Sequence, residues 1–134
     1  MRYLGVDPGG KRLGLAVADD ATGIVTPLEV IPYRGVATAA ADIAARVRTH
    51  DAQQVVVGLP TTADGEPTAA CRRSHALARA LHGLGLDTVL QPEYLSTNEA
   101  RRRARDAGLP RERPVDHLAA QIVLEEYLST REGG

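Results

Sequence analysis

The segment Tyr3-Leu-Gly-Val-Asp7-Pro-Gly-Gly-Lys-Arg-Leu-Gly-Leu-Ala-Val-Ala-Asp19 constrains the fold more than any other stretch of the chain. It reads as strand, tight turn, strand. In the first strand Leu4 and Val6 point to one side while Tyr3, Gly5 and Asp7 point to the other. In the second, Leu13, Leu15 and Val17 share one face and Gly14, Ala16 and Ala18 the opposite one. The face that carries Asp7 is therefore built of small residues, and a helix or a ligand can approach its backbone closely. Asp7 itself has two readings. Asp-Pro-Gly is ordinary turn chemistry, and a carboxylate at the open end of an apolar strand is also well placed for catalysis.

The remaining segments surround this hairpin with alternating strands and helices. Ile24 to Ile31 reads as a third strand, with Pro27 indicating an edge position or a bulge. Val36, Ala40, Ile43 and Val47 have helical spacing, predicting a helix from Val36 to Arg48. Gln54 to Gly58 is short and β-branched, the pattern of a buried parallel strand. A polar loop, Thr61 to Pro67, follows it, suited to substrate contacts or to plain connection. A second helix is expected from Thr68 to His82, with Ala70, Leu77, Leu81 and Leu84 inward and Gly83 and Gly85 ending it. Cys71 and His75 share a face of that helix, which packing explains without a metal. Leu86 to Gln91 is the fifth strand; Pro92 should end it and leave Glu93 just beyond. Ser96 to Glu99 forms a capping box for a helix reaching about Gly108. Pro114 opens a last helix, Val115 to Leu128, followed by a frayed tail. The order βββαβαβαα argues an α/β domain spanning residues 1–134, with a five-stranded mixed sheet flanked by helices.

At 134 residues the chain can bury roughly 70% of its unfolded surface. Its net charge of −1 excludes a globally basic nucleic-acid coat but not a local patch. One cysteine allows neither an intrachain disulfide nor a cysteine metal cage. No run approaches the ~20 apolar residues of a membrane span, and no signal peptide is evident, so a cytoplasmic location is expected. The cations concentrate late in the chain. Arg101, Arg102, Arg103, Arg105, Arg111 and Arg113 face only Asp106 and Glu112 across thirteen residues. Local ion pairs cannot absorb them all, and a phosphate-facing patch is the alternative to a solvated helix face.

Three acids share a placement. Asp7 ends the first strand, Glu93 follows the fifth, and Asp116 starts the last helix. The helix dipole alone explains an acid at Asp116, but its position at the edge of the stripe Asp116, Ala120, Val123 and Tyr127 lets it point toward the sheet end. His117 beside it reads as an exposed helical histidine, with a base or a substrate contact as the alternatives. If the first, fourth and fifth strands are parallel, the acids converge at one carboxyl edge, where open α/β sheets bind ligands. Carboxylates ~4 Å apart repel by about 4 kcal/mol per pair at an effective dielectric near 20. A divalent cation relieves that repulsion, and an all-oxygen ligand set selects Mg²⁺ or Mn²⁺.

Four blocks, in order, carry a resemblance: Gly5-Val-Asp7-Pro-Gly9 with Arg12-Leu-Gly14-Leu-Ala16-Val; Val56-Val-Gly58-Leu-Pro60 with Asp64-Gly65; Glu93-Tyr-Leu-Ser96-Thr97 with Glu99-Ala100; and Val115-Asp116-His-Leu-Ala119-Ala120. Together they resemble the YqgF/RuvX family of pre-16S rRNA nuclease and Holliday-junction-resolvase-like proteins, over nearly the whole chain. The resemblance implies an RNase H-like fold and a metal-dependent nuclease acting on pre-16S rRNA 5′ ends or branched DNA. It puts Asp7, Glu93 and Asp116 on the family's catalytic, metal-binding acids. Nucleic-acid contacts are expected from Lys11, Arg12, Ser96, Thr97, Arg101, Arg102, Arg105 and Arg113, in a monomer or a homodimer. One block departs from the family pattern: Pro92 and Tyr94 stand where Asp and Arg are usual, and tyrosine cannot reproduce the bidentate fork that arginine offers phosphate. A nucleic-acid-binding module with weakened or lost catalysis is the alternative function. A sugar-kinase or actin-like ATPase has a similar first hairpin but needs two such domains.

Overall fold

A computed structural model describes residues 1–9, 11–60, 69–93 and 116–133, with residues 70, 93, 116–119 and 130–133 described by backbone position only. The elements are β1 (Arg2–Pro8), β2 (Arg12–Asp19), β3 (Ile24–Pro32), α1 (Val36–His50), β4 (Gln54–Pro60), α2 (Ala69–Gly83), β5 (Thr88–Glu93) and α3 (Asp116–Gly133). The five strands form one sheet in the order β3-β2-β1-β4-β5. β1 is antiparallel to β2, and β2 to β3, whereas β4 runs parallel to both β1 and β5. The mixed sheet and the parallel β1–β4–β5 trio agree with the sequence expectation. The loop Thr61 to Pro67, the helix begun by Ser96, and Pro114 and Val115 lie outside the described residues.

The alternation read from β1 and β2 separates two cores. Leu4, Val6, Leu13, Leu15, Val55 and Val57 pack with Ile43 and Val47 of α1 and Leu77 and Leu81 of α2. Tyr3, Ala16, Ala18 and Val56 pack on the opposite face with Ala120, Val123, Leu124 and Leu128 of α3. Each fully buried Leu or Val contributes about 1.5–3 kcal/mol, so both layers are firmly held. The small-residue face admits α3 at close range. A Cβ on Gly5 would lie 2.5 Å from Leu124 Cγ, 2.9 Å from Leu124 Cδ1 and 3.1 Å from the Ala120 carbonyl oxygen.

Four expectations are corrected. β5 does not stop before Pro92: it starts later, at Thr88, and includes both Pro92 and Glu93, paired with Leu59 and Pro60. β5 is an edge strand, where a residue without an N–H is tolerated. Leu86 is taken by the end of α2. Its N–H donates to the Leu81 carbonyl at 3.1 Å, while the N–H of Gly85, at φ +82°, donates to the His82 carbonyl at 2.9 Å. This is the Schellman arrangement, with glycine at the left-handed position. It also turns the chain so that Leu84, expected inside, is 55% exposed. Finally, α3 continues to Gly133 instead of fraying, because no glycine or proline interrupts it earlier. Pro27 satisfies both of its sequence readings: β3 is the other edge strand, and the β2–β3 register shifts beside Pro27, between Leu15 and Ala16.

Candidate active site

Asp7 is the penultimate residue of β1 and is only 7% exposed. Aspartate is rarely so buried unless its charge is engaged. By strand alternation it lies on the same face as Tyr3 and Gly5, the face covered by α3. Its partner across the ladder is Gly14 of β2, which adds no side chain beside it. The turn that follows is closed by the Gly9 N–H donating to the Arg12 carbonyl at 2.8 Å.

The contacts of α3 fix its direction. Near the start of β1, Tyr127 meets Tyr3 edge-on, with ring centroids 5.8 Å apart, and donates its hydroxyl to Gln54 Oε1 at 2.7 Å. Two residues further along the strand, Gly5 faces Leu124 and Ala120. The helix therefore runs antiparallel to β1. From Ala120 back to Asp116 is roughly 6 Å of helix rise, and from Gly5 to Asp7 is about 7 Å of strand. The two progressions match, so the first residue of α3 arrives level with Asp7. Asp116 is placed there by backbone; its side chain is outside the described set.

The parallel strands complete the edge. Val6 is paired with Val57, so Asp7 ends its strand beside Gly58; Gly58 is paired with Gln91, and Glu93 stands two residues further along β5. The backbone thus brings the positions of all three candidate acids to the carboxyl edge of one sheet. Among residues whose side chains are described, no three Asp, Glu, His or Cys groups gather into a metal-binding cluster.

The expected nucleic-acid contacts divide. Lys11 and Arg12 are exposed at the β1–β2 turn, next to this edge. Ser96, Thr97, Arg101, Arg102, Arg105 and Arg113 lie outside the described residues. Ser74, which the sequence reading passed over, is fully buried, and its hydroxyl donates to the Gly58 carbonyl at 2.9 Å, tying α2 to the end of β4. Its signal was present in the sequence: Ser74, Leu77, Ala78 and Leu81 repeat at the spacing of one helix face.

This architecture is that of the RNase H-like fold, as a solved neighbour shows. Thermus thermophilus RuvC, in complex with a Holliday junction substrate, is similar with a TM-score of 0.62 at 18% identity, covering 99% of this chain and 97% of that one. More particularly, the chain belongs to the RuvX family, described as Holliday junction resolvase, whose model matches residues 1–130. A protein of Anaeromyxobacter sp. (strain Fw109-5) named "Putative pre-16S rRNA nuclease" is 39% identical over 98% of each chain. One of the same name from Syntrophus aciditrophicus (strain SB) is 34% identical, covering 96% of this chain and 88% of its own.

Proposed function

We propose that residues 1–134 form one nuclease domain that hydrolyses phosphodiester bonds in structured nucleic acid in the cytoplasm. Its substrate on this reading is the 5′ end of pre-16S rRNA, branched DNA or both. The observation that carries the proposal is the buried Asp7 at the carboxyl edge, level with the first residue of α3. Family membership supports the reaction class, since the relatives' names are those of nucleases and resolvases. Among the described residues no helix is long and apolar enough to cross a membrane.

The residues fit a divalent metal by the chemistry of the donor set. Asp7, Glu93 and Asp116 are all carboxylates, with no sulfur or imidazole among them, which suits Mg²⁺ or Mn²⁺. Bound there, such a cation would supply activation of water and charge neutralisation at phosphate. Asp7 is the ligand held most rigidly, on a central strand between two ladders. Asp116 and Glu93 complete the set from α3 and β5. Lys11 and Arg12 contact the backbone of the nucleic acid beside the turn. Ser96, Thr97 and the arginines at 101, 102, 105 and 113 extend that contact. Pro92 and Tyr94 support the alternative of binding without cleavage, because two polar groups of the family pattern are missing there.

The test compares the wild-type protein with Asp7→Asn on labelled precursor rRNA and a four-way DNA junction, with Mg²⁺, Mn²⁺ or EDTA. Cleavage that requires metal and Asp7 is expected, and the preferred substrate identifies the role. Binding without cleavage under either metal would replace the nuclease reading with the binding module.

A further inference from the structure

We propose that the start of α2 is a second nucleic-acid contact, in which Arg72 and Arg73 bind backbone phosphates on the side of the sheet opposite Asp7. The inference rests on the nuclease reading above. α2 carries Arg72, Arg73 and Arg79 and no acidic residue. Arg2 and Arg46 are paired with Asp19 and Glu29; among the described residues no ion pair or hydrogen bond joins these three arginines to a carboxylate. Arg72 is exposed and Arg73 half-buried. The Nε of Arg73 is shut off from solvent and has no hydrogen-bond partner. An orphaned donor on a charged group is unfavourable, so the side chain gains by turning outward to an anion that can pair with it.

The fold determines which anion is within reach. Ser74 is hydrogen-bonded to the carbonyl of Gly58, the residue beside Asp7 at the carboxyl edge. α2 carries the chain from that edge back to the amino end of β5, as a parallel crossover requires. Arg72 and Arg73 precede Ser74 and so stand at the edge itself. Leu77 and Leu81 bind α2 to the face opposite α3. A strand positioned at Asp7 that continues over the end of the sheet meets these two guanidinium groups. Their planar forks match phosphate oxygens.

The test is binding of a labelled precursor-rRNA fragment and a four-way DNA junction, followed by fluorescence anisotropy from about 50 to 200 mM salt. The Asp7→Asn background keeps the substrate intact. The Arg72→Ala/Arg73→Ala variant is compared with Arg48→Ala, which removes an exposed charge from the last turn of α1, at the other end of the sheet. The double variant is expected to bind about tenfold more weakly, with a log–log salt slope shallower by about 1–2. In the catalytically competent protein it should raise KM and leave kcat unchanged, the mark of contacts made equally in ground and transition states. Arg48→Ala should change neither. If the wild type cleaves while the double variant binds with unchanged affinity and slope, or loses no more than Arg48→Ala, this inference alone is overturned. If the wild type neither binds nor cleaves, the nuclease reading falls with it.

Discussion

Gly5→Ala is the sharpest probe of how this fold holds its site. The new methyl carbon would sit 2.5 Å from Leu124 Cγ and 3.1 Å from the Ala120 carbonyl oxygen. Ordinary contact begins near 3.4 Å. Leu124 Cγ is not the free end of a flexible side chain, and the Ala120 oxygen belongs to the helix backbone, so relief requires α3 to move off the sheet by about 1 Å. Overpacking of this kind costs about 1–3 kcal/mol. At roughly 4 °C per kcal/mol for a chain of this size, Tm should fall by about 4–12 °C. The same displacement shifts the first residue of α3 relative to Asp7. A misplacement of about 1 Å can cost 10²-fold in rate, so kcat should drop well below that of the wild type at temperatures where the variant is folded. Thermal unfolding by circular dichroism and cleavage of labelled substrate measure the two effects. Leu124→Ala makes room for the methyl, so the double variant should be more stable than the summed single effects by about 1–2 kcal/mol. Additive effects, or a Gly5→Ala protein with wild-type Tm and kcat, would refute the close approach of α3 as the cause.

Other outcomes follow from particular contacts. Mg²⁺ or Mn²⁺ at about 100 times its Kd should stabilise the protein by about 2.7 kcal/mol, near 10 °C in Tm; Asp7→Asn should abolish that gain in the same thermal scan. Ser74→Ala removes the buried hydroxyl from the Gly58 carbonyl and should cost about 1 kcal/mol, read as a lower denaturant midpoint with unchanged slope. Tyr127→Phe keeps the ring against Tyr3 but loses the hydrogen bond to Gln54. It should also cost about 1 kcal/mol, while Tyr127→Ala, which loses the ring as well, should cost at least twice that.

The hairpin was legible in the sequence because period-two alternation of large and small residues has one solution, a strand pair with two unlike faces. The same alternation placed Asp7 on the small-residue side. Val55 to Val57 declared a central strand by being β-branched on both faces. The limits of β5 were not legible, because proline ends a strand only where its N–H is needed, and edge position emerges from topology. Helical phase alone places Leu84 inward, but the left-handed Gly85 ends that phase. A stripe through Asp116 and Tyr127 misses Leu124, whereas the helix rests on the residue that fits above Gly5. Convergence of the three acid positions depends on β1, β4 and β5 being parallel neighbours; the β-branched run of β4 suggests a parallel strand, but strand order comes only from the whole sheet.

Prolines inside both outer strands have a consequence for self-association. β3 carries Pro27 beside a register shift, and β5 carries Pro92. A neighbouring copy that tried to extend the sheet would find an interrupted row of donors along either margin. Natural β proteins use such interruptions to block amyloid-like stacking and unwanted strand exchange. Either margin of the sheet is thus a poor place for a second copy to add a strand.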